Sequence, residues 1–186
     1  MNEVLIKYCW YSYKTLSTGD LLLRNPGMTI KFTQIIAKAE RIFIMGNGGS
    51  LATANHLALD WSKSSGKMVI SLTGSESITA NGNDNGFENI FVNQLACFGI
   101  TKQDVIVLIS ASGNSPNIVK VLKQYPVNKF QVLGMTGNKG YLKSNTNVQL
   151  SVSSDDVQII EDAHLCYGHV ITNVLNALRK KSKPSF

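Results

Sequence analysis

The sequence predicts an α/β protein: a single domain over residues 1–186, built on a doubly wound parallel sheet with helices on both faces. Two observations carry this. Short apolar runs alternate with helical stretches along the chain, the order that produces parallel strands joined by crossover helices. Two of these runs, Arg41-Ile42-Phe43-Ile44-Met45 and Val105-Ile106-Val107-Leu108-Ile109, are continuous enough for burial on both faces. Each run then ends in a small, glycine- and hydroxyl-rich turn that opens a helix: Gly46-Asn47-Gly48-Gly49-Ser50 after the first, Ser110-Ala111-Ser112-Gly113-Asn114-Ser115 after the second.

The elements follow in order. Residues 3–18 and 29–40 read as helices, separated by a break at Asn25-Pro26-Gly27. Strand 41–45, helix 50–64, strand 68–72, a short helix after Ser77, a loop at 81–86 and helix 87–99 come next. Strand 104–110, helix 116–124, strand 130–136, a turn at Gly137-Asn138-Lys139-Gly140, strand 147–152 and helix 156–180 complete the chain. Pro116 suits the first helical position after an Asn114/Ser115 cap region. Asp155, with Gln158 three residues on, reads as a capping box for the last helix. No linker, low-complexity tract or repeat interrupts this order.

Composition sets the class. Of the 186 residues, 44% are apolar and 16% charged, as in an ordinary soluble globular protein. No apolar run approaches the ~18–20 residues of a membrane span, and no signal-peptide pattern opens the chain, so neither membrane insertion nor export is expected. Cys9, Cys97 and Cys166 are scattered and odd in number, which points to reduced thiols in a cytoplasm. Of the net charge of +6, part sits in Arg179-Lys180-Lys181-Ser182-Lys183, a solvated end that suits a helix C-terminus. It lacks the interleaved aromatics of a nucleic-acid surface. The remaining surplus favours an anionic substrate.

The two turns suit phosphate. Glycine lets the backbone approach a ligand, serine supplies short donors, and a helix N-terminus presents free N–H groups with partial positive charge. The first turn is neither G-x-G-x-x-G nor a Walker loop. No acidic residue ends the second strand near Ser71 to hold a ribose, so a dinucleotide fits poorly. A phosphosugar or similar phosphomonoester is the leading ligand class.

All three histidines lie on two predicted helices. His56 and Asp60 are four residues apart on one helix face, a metal-ligand or acid/base spacing. The last helix carries Glu161, His164 and His169. Two histidines plus two carboxylates suit zinc or a similar divalent ion. Glu161 and His169 lie eight residues apart, ~12 Å along a helix axis. Either His164 is the ligand, or some groups enter from a neighbouring subunit.

The run GNGGS-x5-H-x3-D, the NGNDNGF loop, SASGNS and the E-x7-H of the last helix occur in this order along nearly the whole chain. Together they resemble the sugar isomerase (SIS) domain, and within it the phosphoheptose isomerase branch. The resemblance implies a flavodoxin-like three-layer α/β/α fold in a homotetramer, with the N-terminal helical segment 1–40 used in assembly. It implies interconversion of sedoheptulose 7-phosphate and a heptopyranose 7-phosphate for surface-polysaccharide synthesis, often with zinc. It places Asn47, Gly48, Gly49 and Ser50 near the substrate and Asn83 and Asp84 on its hydroxyls. Ser110, Ser112 and Ser115 cradle the phosphate, with Ala111 in the same turn. By the same resemblance His56, Asp60, Glu161 and His169 would form the metal and catalytic group. An aldose–ketose isomerase needs a base and an acid, for which Asp60 and His169 are the candidates.

Three positions depart from the family pattern, which usually has glutamate at 60, glutamine at 161 and threonine at 111. Asp60 is one methylene short, Glu161 adds a charge that favours a divalent cation, and Ala111 removes one phosphate donor. A basic residue commonly found around Ser64 is also replaced, with Lys63 adjacent. A different class stays open: a non-catalytic SIS paralogue that binds a phosphosugar or a replication initiator. Such an adaptor need not keep the acid/base group, which is present here.

Overall fold

Three largely apolar runs form the centre of the sheet because, past Arg41 and Gln131 at their starts, they are apolar or small and can be buried. β1 (Arg41–Met45), β3 (Val105–Ser110) and β4 (Gln131–Thr136) are almost wholly buried. β2 (Met68–Ser71) and β5 (Val148–Ser151) are more exposed and lie at the edges. These are findings of a computed structural model that describes residues 26–182. The predicted helix 3–18 lies outside the described residues.

All strand pairs are parallel, in the order β2-β1-β3-β4-β5. Alternation sends successive residues to opposite faces. Ile42, Ile44, Val107 and Ile109 join one core cluster, and Phe43, Met45, Ile106 and Leu108 join the other. α1 (Pro26–Lys38), α2 (Gly49–Ser65) and α7 (Val157–Ser182) cover the first face. α3 (Ser75–Asn85), α4 (Ile90–Phe98), α5 (Pro116–Gln124) and α6 (Tyr141–Asn145) cover the second. This is the expected three-layer α/β/α architecture.

Four local expectations are corrected. Pro26 belongs to the first helix, where its missing N–H costs nothing. Residues 81–85, expected in a loop, continue α3, because Asn81 donates to the Ser77 carbonyl and accepts from Asn93 of α4. The helix stops where Gly86 takes φ +84°. α6 replaces the plain connection expected after Gly140. The cap of α7 is Asp156, whose Oδ1 accepts from the backbone N–H groups of Gln158 and Ile159 at 3.1 and 3.4 Å. Asp155 instead pairs with Lys139 in solvent.

At the opposite end from the two turns, Arg41 donates to the Asp104 carboxylate at 2.9 and 2.6 Å and to the Phe98 and Gly99 carbonyls. Burial would push the Asp104 carboxyl up. Its hydrogen bonds from Arg41 and Thr101 outweigh that and hold it below the usual range. This clip fixes the start of β1 against the entry to β3.

Candidate active site

Strand order reverses between β1 and β3, because the chain runs outward from β1 to β2 on one side and onward through β3 on the other. Ligands of open α/β sheets bind in the crevice at the carboxyl ends of such a pair. Both glycine- and serine-rich turns lie there.

The first turn is tight. A Cβ on Gly46 would lie 2.7 Å from the Ser50 Cβ, and Gly48 takes φ +53° as it leads into α2. Asn47 is tied across the crevice by a reciprocal amide pair. It donates to Asn117 Oδ1 at 2.9 Å and accepts from Asn117 Nδ2 at 2.8 Å. Asn117 is fully buried, and its Oδ1 also accepts from the Ile118 N–H. Sequence reasoning gave Asn117 no role. A buried amide held on both ends fixes the two turns relative to each other.

In the second turn three hydroxyls converge. Ser110 Oγ lies 2.9 Å from Ser115 Oγ and 3.5 Å from Ser112 Oγ, which accepts from the Asn114 N–H. The turn is held from behind by the segment after β4: the Gly137 N–H donates to the Ala111 carbonyl and the Leu142 N–H to that of Gly113. Gly113 and Gly140 meet so closely that a Cβ on either would strike the other's backbone. Ala111 thus supports the turn through its backbone. Asn83 and Asp84 sit exposed in the last turn of α3, Asn83 donating to Asp84 at 2.8 Å. Among the described residues their side chains make no hydrogen bond to either turn.

α2 and α7 bring three chemically active side chains together. His56 Nε2 lies 3.0 Å from His169 Nε2 and 3.3 Å from Asp60 Oδ2. The three ligand atoms fall within 4.8 Å of one another, and His56 and His169 face solvent. Two imidazole nitrogens and a carboxylate oxygen at this spacing fit a divalent ion such as zinc. The three come from one chain.

Glu161 is not gathered with them. Its carboxylate is set against Gly49, where a Cβ would fall 2.5–2.6 Å from Cδ and Oε1. That is the first residue of α2, and a helix N-terminus favours a negative charge.

His164 is not a ligand. It is wholly buried, and its Nε2–H donates to the Thr136 carbonyl at 3.1 Å, while Nδ1 has no partner among the described residues. Burial pushes its pKa down to about 4, with the Thr136 bond opposing. An unfolded histidine near 6.5 takes up a proton that the folded one refuses. The stability this residue supports is therefore complete above pH 6.5 and is lost as pH falls toward 4. The loss is about 3 kcal/mol by linkage. Denaturant unfolding at stepped pH should show it. His164→Gln, which keeps a donor for Thr136, should flatten that part of the slope.

The fold defines a doubly wound α/β protein with a crevice at its switch point. The chain belongs to the SIS-domain family, whose profile matches residues 30–137. It is 34% identical over 147 residues to a phosphoheptose isomerase of Burkholderia pseudomallei, spanning 75% of this chain and 74% of that one. It is 30% identical over 183 residues to phosphoheptose isomerase 1 of Campylobacter jejuni, spanning 92% and 97%. A solved phosphoheptose isomerase from Francisella tularensis superposes with a TM-score of 0.82 at 26% identity, covering 93% of this chain and 98% of the other. No helix among the described residues is long and apolar enough to cross a membrane.

Proposed function

We propose that this chain is an aldose–ketose isomerase acting on a sugar phosphate, sedoheptulose 7-phosphate to D-glycero-D-manno-heptose 7-phosphate. The carrying observation is the convergence of His56, Asp60 and His169 on α2 and α7, in a chain whose second turn gathers three serine hydroxyls. An adaptor has no use for that convergence. The names and coverage of the relatives support the same reaction.

Ser110, Ser112 and Ser115 hold the phosphate with charge-assisted hydrogen bonds. Asn47, Gly48, Gly49 and Ser50 line the sugar, and Asn83 and Asp84 meet its hydroxyls. Asp60 takes the proton from the carbon beside the carbonyl as His169 gives one to the carbonyl oxygen. Asp60 then delivers a proton to the former carbonyl carbon while His169 takes the proton of the neighbouring hydroxyl, which becomes the new carbonyl. The enediol between these half-steps is stabilised by the proton that His169 gives its oxygen. His56, Asp60 and His169 would hold a divalent ion, zinc foremost. Glu161 of a neighbouring subunit is the proposed fourth donor, because within one chain its carboxylate is set against Gly49. When bound, that ion supplies Lewis-acid polarisation of the two substrate oxygens.

The residues at 1–40 serve self-association to a homotetramer in the cytoplasm, and the product feeds surface-polysaccharide synthesis.

Incubating the protein with a panel of ketose phosphates, with metal content measured on the same sample, tests this. Turnover of sedoheptulose 7-phosphate is expected, with metal retained by the parent and lost from His56→Ala. Binding of phosphosugars without turnover of any would assign a binding module instead.

A further inference from the structure

The active side chains are each one residue away from a packing contact. Leu57 follows His56, Trp61 follows Asp60, and Gly168 precedes His169. These three neighbours meet where α2 crosses α7. Trp61 Nε1 donates to the Gly168 carbonyl at 3.2 Å, and Leu57 and Trp61 are both fully buried. A Cβ on Gly168 would lie 2.6 Å from Leu57 Cδ1, 2.8 Å from Cγ and closer still to Cδ2, whereas ordinary contacts are 3.4–4 Å. Leu57 is fully buried, so a change of its rotamer has to be taken up by the side chains packed around it or by the two helices.

We propose that Gly168 is a positioning residue. Its missing side chain sets the approach of α7 to α2, and so the 3.0 Å meeting of His56 and His169. The three packing residues and the three active ones share the same helical turns. Any separation of the helices at Leu57–Gly168 therefore opens His56–His169 by a comparable distance. Adding one methyl group demands a shift of roughly 1 Å, enough to cost about a hundredfold in rate where groups must be aligned. The serine turn that holds the phosphate belongs to neither helix, so substrate affinity should change much less than turnover.

The test compares full-length parent, Gly168→Ala, Leu57→Ala and the double variant. The direct readout, in protein without added metal, is the through-space NMR contact between the His56 and His169 rings. With three histidines in the chain, one of them buried, assignment is tractable. The consequence for turnover rests on the isomerase reading, whereas the ring contact does not. Gly168→Ala should lose the ring contact and about a hundredfold in kcat, with KM within a few-fold. Removing the Leu57 side chain in the same protein should restore the contact and most of kcat.

If Gly168→Ala keeps both the contact and the rate, the proposal is overturned. It is equally overturned if the folded double variant recovers neither. Should Gly168→Ala alone fail to fold, the double variant decides by the presence or absence of the ring contact. If the parent shows no turnover but the contact behaves as expected, the functional reading fails and the positioning role stands.

Discussion

Asp60→Asn is expected to lower kcat for ketose-phosphate isomerisation by about a hundredfold to ten-thousandfold, the range typical of a lost general base. Asparagine has nearly the same shape and keeps an oxygen for His56, so the helix surface is preserved. Asp60 is on α2 with a side chain 28% exposed, and its ion-pair partner is His56 at 3.3 Å. Little stability depends on it. The fall should therefore appear in kcat while KM and the unfolding midpoint move little. Steady-state kinetics beside circular dichroism separates the two. Parent-like turnover would remove Asp60 from the role of base.

The second large effect falls on binding. Ser112→Ala and Ser115→Ala should each weaken phosphosugar affinity by roughly 1.5–3 kcal/mol, about ten- to a hundredfold. Ser115 stands at the N-cap of α5 yet makes no capping bond with its side chain, its Oγ lying 2.9 Å from Ser110 Oγ. Removing that hydroxyl should spare the helix and strike the ligand. Ser112 is exposed and similarly dispensable to the core. Isothermal titration with inorganic phosphate and with the phosphosugar should show both losses. Unchanged binding by both variants would move the phosphate seat elsewhere.

The central strands were legible almost to the residue, because a continuous apolar run bounded by glycine has few other uses. α6 was not, since five residues carry no readable period. The end of α3 was hidden by composition: Asn81-Gly82-Asn83-Asp84-Asn85 has the chemistry of a loop, and Asn93 of α4 helps make it helix. In the site, the His56–Asp60 spacing was visible because both lie on one helix. The choice between His164 and His169 was not open to spacing alone, since it depends on which faces the sheet. Asn117 escaped notice because its partner stands 70 residues away. Gly168 escaped because a missing side chain signals nothing until the neighbouring helix is known.

Proton transfer at the carbon beside the carbonyl is the central claim, and solvent exchange tests it most directly. Sedoheptulose 7-phosphate incubated with the protein in deuterium oxide should acquire deuterium at the former carbonyl carbon, C2 of the aldose product, followed by NMR. The exchange should vanish with Asp60→Asn. Product formed with no solvent deuterium, or exchange undiminished in Asp60→Asn, would contradict the account.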